Sequence, residues 1–394
     1  MGKRRDERRR AAKRGRARDA ASDVSLETAV LPSVDSLADL PCFGDLRIDD
    51  AQREAFSAAC DEVARVGAPA AGELALGVVI RLDRGFPLVA TDALTLRCEH
   101  AVGFAKSRGE GERLLPAVGD AVAVRVAEGH EMGIIERVLP RRTAFERWRG
   151  GARGERQVLA ANVDVILVVQ ALGAARDEGR VLCDRIARSL VLANDCGARP
   201  VVVLTKADRC DADALASITG LVRRLVGPGV DVIATSSATG RGLDEVRACV
   251  PAGTCAMILG ESGAGKSTLL NALLGHEALA TGGVREKDDA GRHTTVARVM
   301  VALGEGCGVI ADAPGLRSLP LVGHERGLAR TFPEVVEAAK SCRFRDCTHT
   351  HEPGCAVREA VAEGVVDEVR LEACLALAAE MRVSAASLDP DVSL

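Results

Sequence analysis

Residues 260–267, Gly260-Glu261-Ser262-Gly263-Ala264-Gly265-Lys266-Ser267, set glycines, a lysine and a hydroxyl in the G-x-x-x-x-G-K-[ST] spacing of a phosphate-cradling loop. Gly260, Gly263 and Gly265 let the backbone turn so that successive N–H groups face one concavity. Lys266 can reach terminal phosphates, and the Ser267 hydroxyl can join the shell of a Mg2+ ion. Glu261, Ser262, Ala264 and Thr268 complete the residues expected around the phosphates. A second cluster follows near the C-terminus: Cys342-x4-Cys347-x-His349-x5-Cys355. Three thiols and one imidazole suit tetrahedral Zn2+ with no open position, hence one structural ion per chain. His351 is an alternative ligand. The other ten cysteines lack ligand spacing and are expected to be core or surface thiols.

Further motifs gather around the phosphate loop. Thr205-Lys206-Ala207-Asp208 follows an apolar run and resembles the [NT]-K-x-D base-recognition motif of GTPases. A carboxylate at Asp208 can accept the N1–H and 2-amino hydrogens of guanine, a pair that adenine does not offer. Ser236-Ser237-Ala238 resembles the second base-contact motif, in which backbone N–H groups meet the guanine oxygen. Asp312-Ala313-Pro314-Gly315 resembles D-x-x-G, whose Asp holds Mg2+ through water and whose Gly N–H meets the γ-phosphate. Gly291-Arg292-His293-Thr294-Thr295 lies in a long loop, where Thr294 or Thr295 would bind Mg2+ and sense the γ-phosphate. Leu316 stands where many GTPases carry a water-orienting Gln. An apolar side chain cannot orient water, so free turnover should be slow, with His293 the nearest candidate catalytic group beside Lys266 and Thr295.

The elements that must carry these residues divide the chain into four parts. Residues 1–72 read as a basic arm and linker with one short helix, 49–66, capped by Asp49 or Asp50. Residues 73–140 hold five short strands split by Gly, Asp and Pro, the pattern of an OB-type barrel. Such barrels bind nucleic acid or serve as docking modules. Here Phe86 and Phe104 are the available aromatics, so nucleic-acid contact would lean on Arg81, Arg84, Lys106, Arg108 and Arg113. Residues 140–157 read as an Arg-rich connector, either a solvated linker or an extension of the basic surface. Residues 158–331 alternate strand and helix, predicting a doubly wound α/β sheet with ligand at the strand carboxyl ends. Residues 332–394 form a small zinc-binding, mostly helical part with one closing helix over 357–382 and a tail.

Charge separates the arm from the body. Residues 1–18 carry ten Lys/Arg against Asp6 and Glu7, a local +8 that leaves −12 on the rest of a chain of net charge −4. Such an arm suits a polyanion, nucleic acid first, although a solubilising tail or an organellar leader has a similar composition. No apolar run reaches membrane-span length, and thirteen irregularly spread Cys argue against a secreted disulfide framework, so the expected home is a reducing cytoplasm.

Ordinary GTPases run phosphate loop, effector threonine, D-x-x-G, N-K-x-D, S-A; this chain puts TKAD and SSA first. OB-like barrel, circularly permuted P-loop GTPase and C-x4-C-x-H-x5-C segment together resemble the RsgA (YjeQ) family, as do the strings GRHTT, DAPG and DCTHTHEPGCAV. The resemblance covers about residues 73–383. It implies GTP hydrolysis to GDP stimulated by the small ribosomal subunit, contact with its rRNA, and a role in its late maturation ending in release of the factor. A soluble monomer with no membrane partner is the accompanying expectation. Competing readings are an ATP-dependent kinase or ATPase, opposed by Asp208 and the SSA loop, a switch whose output is binding alone, and a zinc-dependent nucleic-acid binder with a vestigial GTPase part, opposed by Lys266, Ser267 and Asp312.

Overall fold

The computed structural model describes residues 39–66, 73–83, 86–101, 115–126, 132–149, 155–173, 178–278, 298–312 and 321–388. Helix α1 (Asp50–Val66) begins at Asp49, whose Oδ1 accepts the Gln52 N–H at 2.8 Å while Gln52 Oε1 accepts the Asp49 N–H at 3.1 Å. This reciprocal cap satisfies two N–H groups that the first turn leaves open.

Five strands follow: β1 (Leu74–Asp83), β2 (Phe86–Thr91), β3 (Thr95–His100), β4 (Ala121–Arg125) and β5 (Gly133–Val138). They pair in the order β1-β2-β3-β5-β4, and β4 pairs back onto β1, which closes a five-stranded OB-type barrel and removes its sheet edges. Val79, Val89, Cys98, Val122, Val124 and Ile135 fill its interior. A register shift between Val79 and Arg81 bends β1. Its first half pairs with β4, while Arg81 and Leu82 pair with a strand of the neighbouring sheet. Arg81 is therefore fully buried and cannot serve as the nucleic-acid contact expected of it. Arg84, Phe104, Lys106, Arg108 and Arg113 lie outside the described residues.

The Arg-rich connector is structured. Strands β6 (Ala144–Arg149) and β7 (Glu155–Ala161) pair antiparallel, with Phe145, Leu159 and Ala160 buried in the main core. Leu159, Ala160 and Ala161 are buried in succession beside Phe145 at the base of the ribbon, whereas Arg147 and Gln157 farther along are half-buried and hydrogen-bond each other at 3.0 Å.

Next comes the sheet that carries the site: β8 (Val165–Ala171), β9 (Arg199–Thr205), β10 (Asp231–Ala234), β11 (Cys255–Leu259), β12 (Arg298–Ala302) and β13 (Val309–Asp312). Their order is β10-β9-β8-β11-β13-β12, parallel except for β12, which joins the sheet to β1 of the barrel. Helices α2 (Glu178–Cys196), α3 (Ala212–Val226), α4 (Leu243–Ala248) and α5 (Lys266–Leu274) cover the two faces. Alternate residues of β8, β9 and β11 point into two separate cores. Ile166, Val202 and Met257 face α2 and α3, whereas Leu167, Val203 and Ile258 face α4 and α5. Burial on both faces explains the unbroken apolar runs VILVV and CAMIL.

Four short-to-long helices complete the chain: α6 (Glu325–Thr331), α7 (Pro333–Ala339), α8 (Ala356–Ala362) and α9 (Glu368–Leu388). The single closing helix expected over 357–382 is two, because Gly364 at φ 74 turns the chain between α8 and α9. Arg370 ties α9 to the body. It is buried, pairs with Glu334 through Nε (2.5 Å) and Nη2 (3.0 Å), donates to the Leu225 and Thr331 carbonyls at 2.6 Å each, and lies over the Phe332 ring. No helix among the described residues is long and apolar enough to cross a membrane.

Candidate nucleotide site and metal cluster

The phosphate loop leaves the buried strand β11 and enters α5 through Gly263 and Gly265, at φ 81 and 86. Only glycine takes such angles without strain. Gly260 meets a different limit: a Cβ there would lie 2.3 Å from the Val169 carbonyl oxygen of β8. The first turn of α5 contains no acidic residue, so its N–H groups and positive dipole end face the loop uncompensated by protein charge. Lys266 Nζ lies across the loop, donating to the Gly260 (2.8 Å) and Glu261 (2.7 Å) carbonyls. Ser262 and Thr268 are exposed, Ser267 is half-buried, and Glu261 pairs with Arg185 of α2 at 3.2 Å.

The residues after β9 reach this loop directly. Thr205 is buried, and its Oγ1 donates to the Ala264 carbonyl at 2.7 Å, near the Gln170 carbonyl at 3.4 Å. Lys206, in the left-handed region at φ 61, donates from Nζ to the Gly263 carbonyl at 2.9 Å. Ala207 N–H donates to the Thr235 carbonyl, which brings the loop after β10 alongside. Ser236 is buried, with Ser237 half-buried and Ala238 exposed beyond it. A hydrogen bond from the Ser236 side chain holds the exposed Asp208 carboxyl below the usual aspartate range, so Asp208 is an anion ready to accept guanine-type donors. Three loops from three strand ends are thus joined side by side. Asp312 ends β13, its backbone in register with Ile258 of β11, and so stands at the same sheet edge. Gly291, Arg292, His293, Thr294, Thr295, Gly315 and Leu316 lie outside the described residues.

Sequence patterns alone did not point to Gln170, Val169 or Gly242. Gln170 is buried at the end of β8, Val169 sets the clearance over Gly260, and a Cβ on Gly242 would lie 2.4 Å from the Ala234 carbonyl oxygen. Their signal is packing, which one sequence does not display.

In the C-terminal part, one ligand atom from each of Cys342, Cys347, His349 and Cys355 lies within 4.8 Å of the others. Cys342 Sγ is 4.0 Å from Cys355 Sγ and 3.6 Å from His349 Nδ1, which is 3.5 Å from Cys355 Sγ. Bond lengths of about 2.3 Å to sulfur and 2.0 Å to nitrogen give tetrahedral edges of about 3.8 and 3.5 Å, so the cluster fits a closed zinc-type site. His349 sits at φ 59, turning Nδ1 inward, whereas His351 is exposed and bonded to Thr350 Oγ1 at 2.8 Å. Glu352 fastens the loop, accepting from the backbone N–H groups of Thr348, Thr350 and His351. These bonds, led by that of the Thr348 hydroxyl, keep its carboxyl well below the usual glutamate range.

Comparison with known proteins places this geometry. The model of the RsgA GTPase family matches residues 138–322. A Streptomyces coelicolor protein named small ribosomal subunit biogenesis GTPase RsgA is 44% identical over 314 residues, covering 79% of this chain and 82% of that protein. A Methanosarcina acetivorans protein of the same name is 39% identical over 257 residues, covering 65% and 67%. Among solved structures, YjeQ from Thermotoga maritima shares the fold with a TM-score of 0.58 at 24% identity, covering 79% of this chain and 99% of that one. YloQ, described as a circularly permuted GTPase, gives 0.56 at 23% identity, covering 79% and 96%.

Proposed function

The chain belongs to the RsgA GTPase family, and we propose that it hydrolyses GTP to GDP and phosphate on the small ribosomal subunit, coupling turnover to that subunit's late maturation and to its own release. The observation that carries this reading is the direct tie of Thr205 and Lys206 to the Ala264 and Gly263 carbonyls. It makes base recognition and phosphate binding parts of one site, in a chain whose relatives are named for ribosomal subunit biogenesis.

Lys266 and the N–H groups at the start of α5 neutralise phosphate charge, while Asp208, with the loop at Ser236–Ala238, selects guanine. Ser267, Asp312 and Thr294 or Thr295 would hold Mg2+, which supplies further charge neutralisation at the phosphates when bound. Cys342, Cys347, His349 and Cys355 would hold one structural Zn2+. Leu316 cannot orient water, so the free enzyme is slow and the rRNA-bound state brings His293 to the attacking water. The protein works as a cytoplasmic monomer, with the basic arm of residues 1–18 adding contact to rRNA.

The test is GTP turnover with and without purified small ribosomal subunits, with ATP as control. Large stimulation confined to GTP is expected; equal slow turnover in both conditions would overturn the reading. His293→Ala should lower stimulated turnover about a hundredfold at similar GTP affinity, whereas Lys266→Ala should damage binding and turnover together.

A further inference from the structure

The phosphate loop contains one acidic residue, Glu261, in a segment whose other features favour an anion. A carboxylate at that place repels the phosphates that the loop would hold. The structure gives it a partner from another element. Arg185 of α2 lies with its Nε 3.2 Å from Glu261 Oε2, and the two side chains are 48% and 52% exposed.

Packing fixes both ends of this pair. Gly260, just before Glu261, is pressed against β8, where a Cβ would lie 2.3 Å from the Val169 carbonyl oxygen. The backbone entering Glu261 is therefore held against that strand. Helix α2 follows β8 and is seated on the main core by Leu182, Ile186, Ala187 and Leu190, at helical spacing. That stripe leaves Asp184 and Arg185 on the exposed side, and Arg185 is the one that meets the loop. The loop's own cation, Lys266, donates to the Gly260 and Glu261 carbonyls, and under the GTPase reading it serves the phosphates. An offset for the Glu261 carboxylate must then come from outside the loop.

We infer that Arg185 is a positioning residue for nucleotide binding: it cancels the negative charge of Glu261 and ties the phosphate loop to α2. The inference rests on the GTPase reading above. Arg185 acts through Glu261 and not on the nucleotide, so its value depends on the carboxylate being there. Both side chains are half in water, which makes the effect modest and sensitive to salt.

The full-length chain tests this without ribosomal subunits. Dissociation constants would be measured for GDP and for a non-hydrolysable GTP analogue with Mg2+, at about 0.05 M and about 0.5 M salt. Arg185→Gln leaves the carboxylate uncompensated and should weaken both nucleotides about fivefold at the lower salt, with a smaller loss at the higher. Arg185→Lys keeps the charge and should lose less. Glu261→Gln should bind both nucleotides about twofold tighter than the unaltered chain. Added to Arg185→Gln, it should restore the original affinity, because the charge that needed cancelling is gone. A double variant as weak as Arg185→Gln would overturn the inference, since Arg185 would then act on the nucleotide directly or on the fold. An unchanged affinity in Arg185→Gln, or a loss indifferent to salt, would overturn it too. Absence of nucleotide binding by the unaltered chain would instead overturn the GTPase reading, which distinguishes the two failures.

Discussion

Thr205 ties the loop after β9 to the glycine-rich loop after β11. Many GTPases carry Asn at this motif position, and a Thr there raises the question of how the base loop stays fixed. The hydroxyl answers it, because it is buried and donates to the Ala264 carbonyl at 2.7 Å. Thr205→Val keeps the shape and removes the donor, leaving that carbonyl unpaired at a cost of about 1–2 kcal/mol. GTP affinity should fall about tenfold, while Thr205→Ser should stay near the original, as nucleotide titration would show. Asp208 depends on its surroundings in the same way: the Ser236 hydrogen bond that holds its carboxyl below the usual aspartate range comes from the loop after the neighbouring strand.

At the scale of elements, the metal loop contrasts with the sheet. Strands β8, β9 and β11 hold the candidate nucleotide site by burying apolar side chains on both faces. Residues 342–355 have no such means: Arg343, Phe344, Arg345 and Asp346 are half-exposed or exposed, and Cys355 is the one deeply buried member of the cluster. A zinc ion held by the proposed Cys342, Cys347, His349 and Cys355 site would supply the folding energy of that segment. Cys355→Ser should lower bound zinc from about one ion per chain to well below half and lower the thermal midpoint. Nucleotide affinity should stay within about twofold, since separate strands carry that site. Zinc content measured beside GTP binding would check both.

Across the whole molecule, polar joints hold the parts in register. Asn162, at φ 56, donates to the Gly119 carbonyl and accepts from Gln52 and the Arg142 N–H, joining barrel, α1 and the base of the β6–β7 ribbon. Farther on, Arg224 of α3 grips Asp367, just before α9, at 2.8 and 2.9 Å, and Arg188 of α2 pairs with Glu380. The Arg224 hydrogen bond holds the Asp367 carboxyl below its ordinary range. Its stabilisation is therefore complete above that range and is lost as pH falls through the lowered value. Arg224 is well exposed, so the effect is modest. An acid titration of the unfolding midpoint should show a steeper loss in the unaltered chain than in Asp367→Asn; identical profiles would remove the pair from the acid response.

The sequence by itself determined the elements and the chemistry of the loops. Short stretches split by Gly, Asp and Pro marked the barrel strands, and unbroken apolar runs marked the buried parallel strands, because burial of one face or both leaves a local record. The spacing G-x-x-x-x-G-K-S marked the phosphate loop because a cradle of consecutive N–H groups needs those residue types in that order. Tertiary structure decided what depends on partners distant in the chain. It buried Arg81 by running β1 onto β12, turned an arginine-rich connector into a two-stranded ribbon, and chose His349 over His351 in the metal cluster. It also laid residues 39–48, which show no periodicity, across two cores. Asp39 of that stretch pairs with His276, 237 residues away, a contact that no local pattern records.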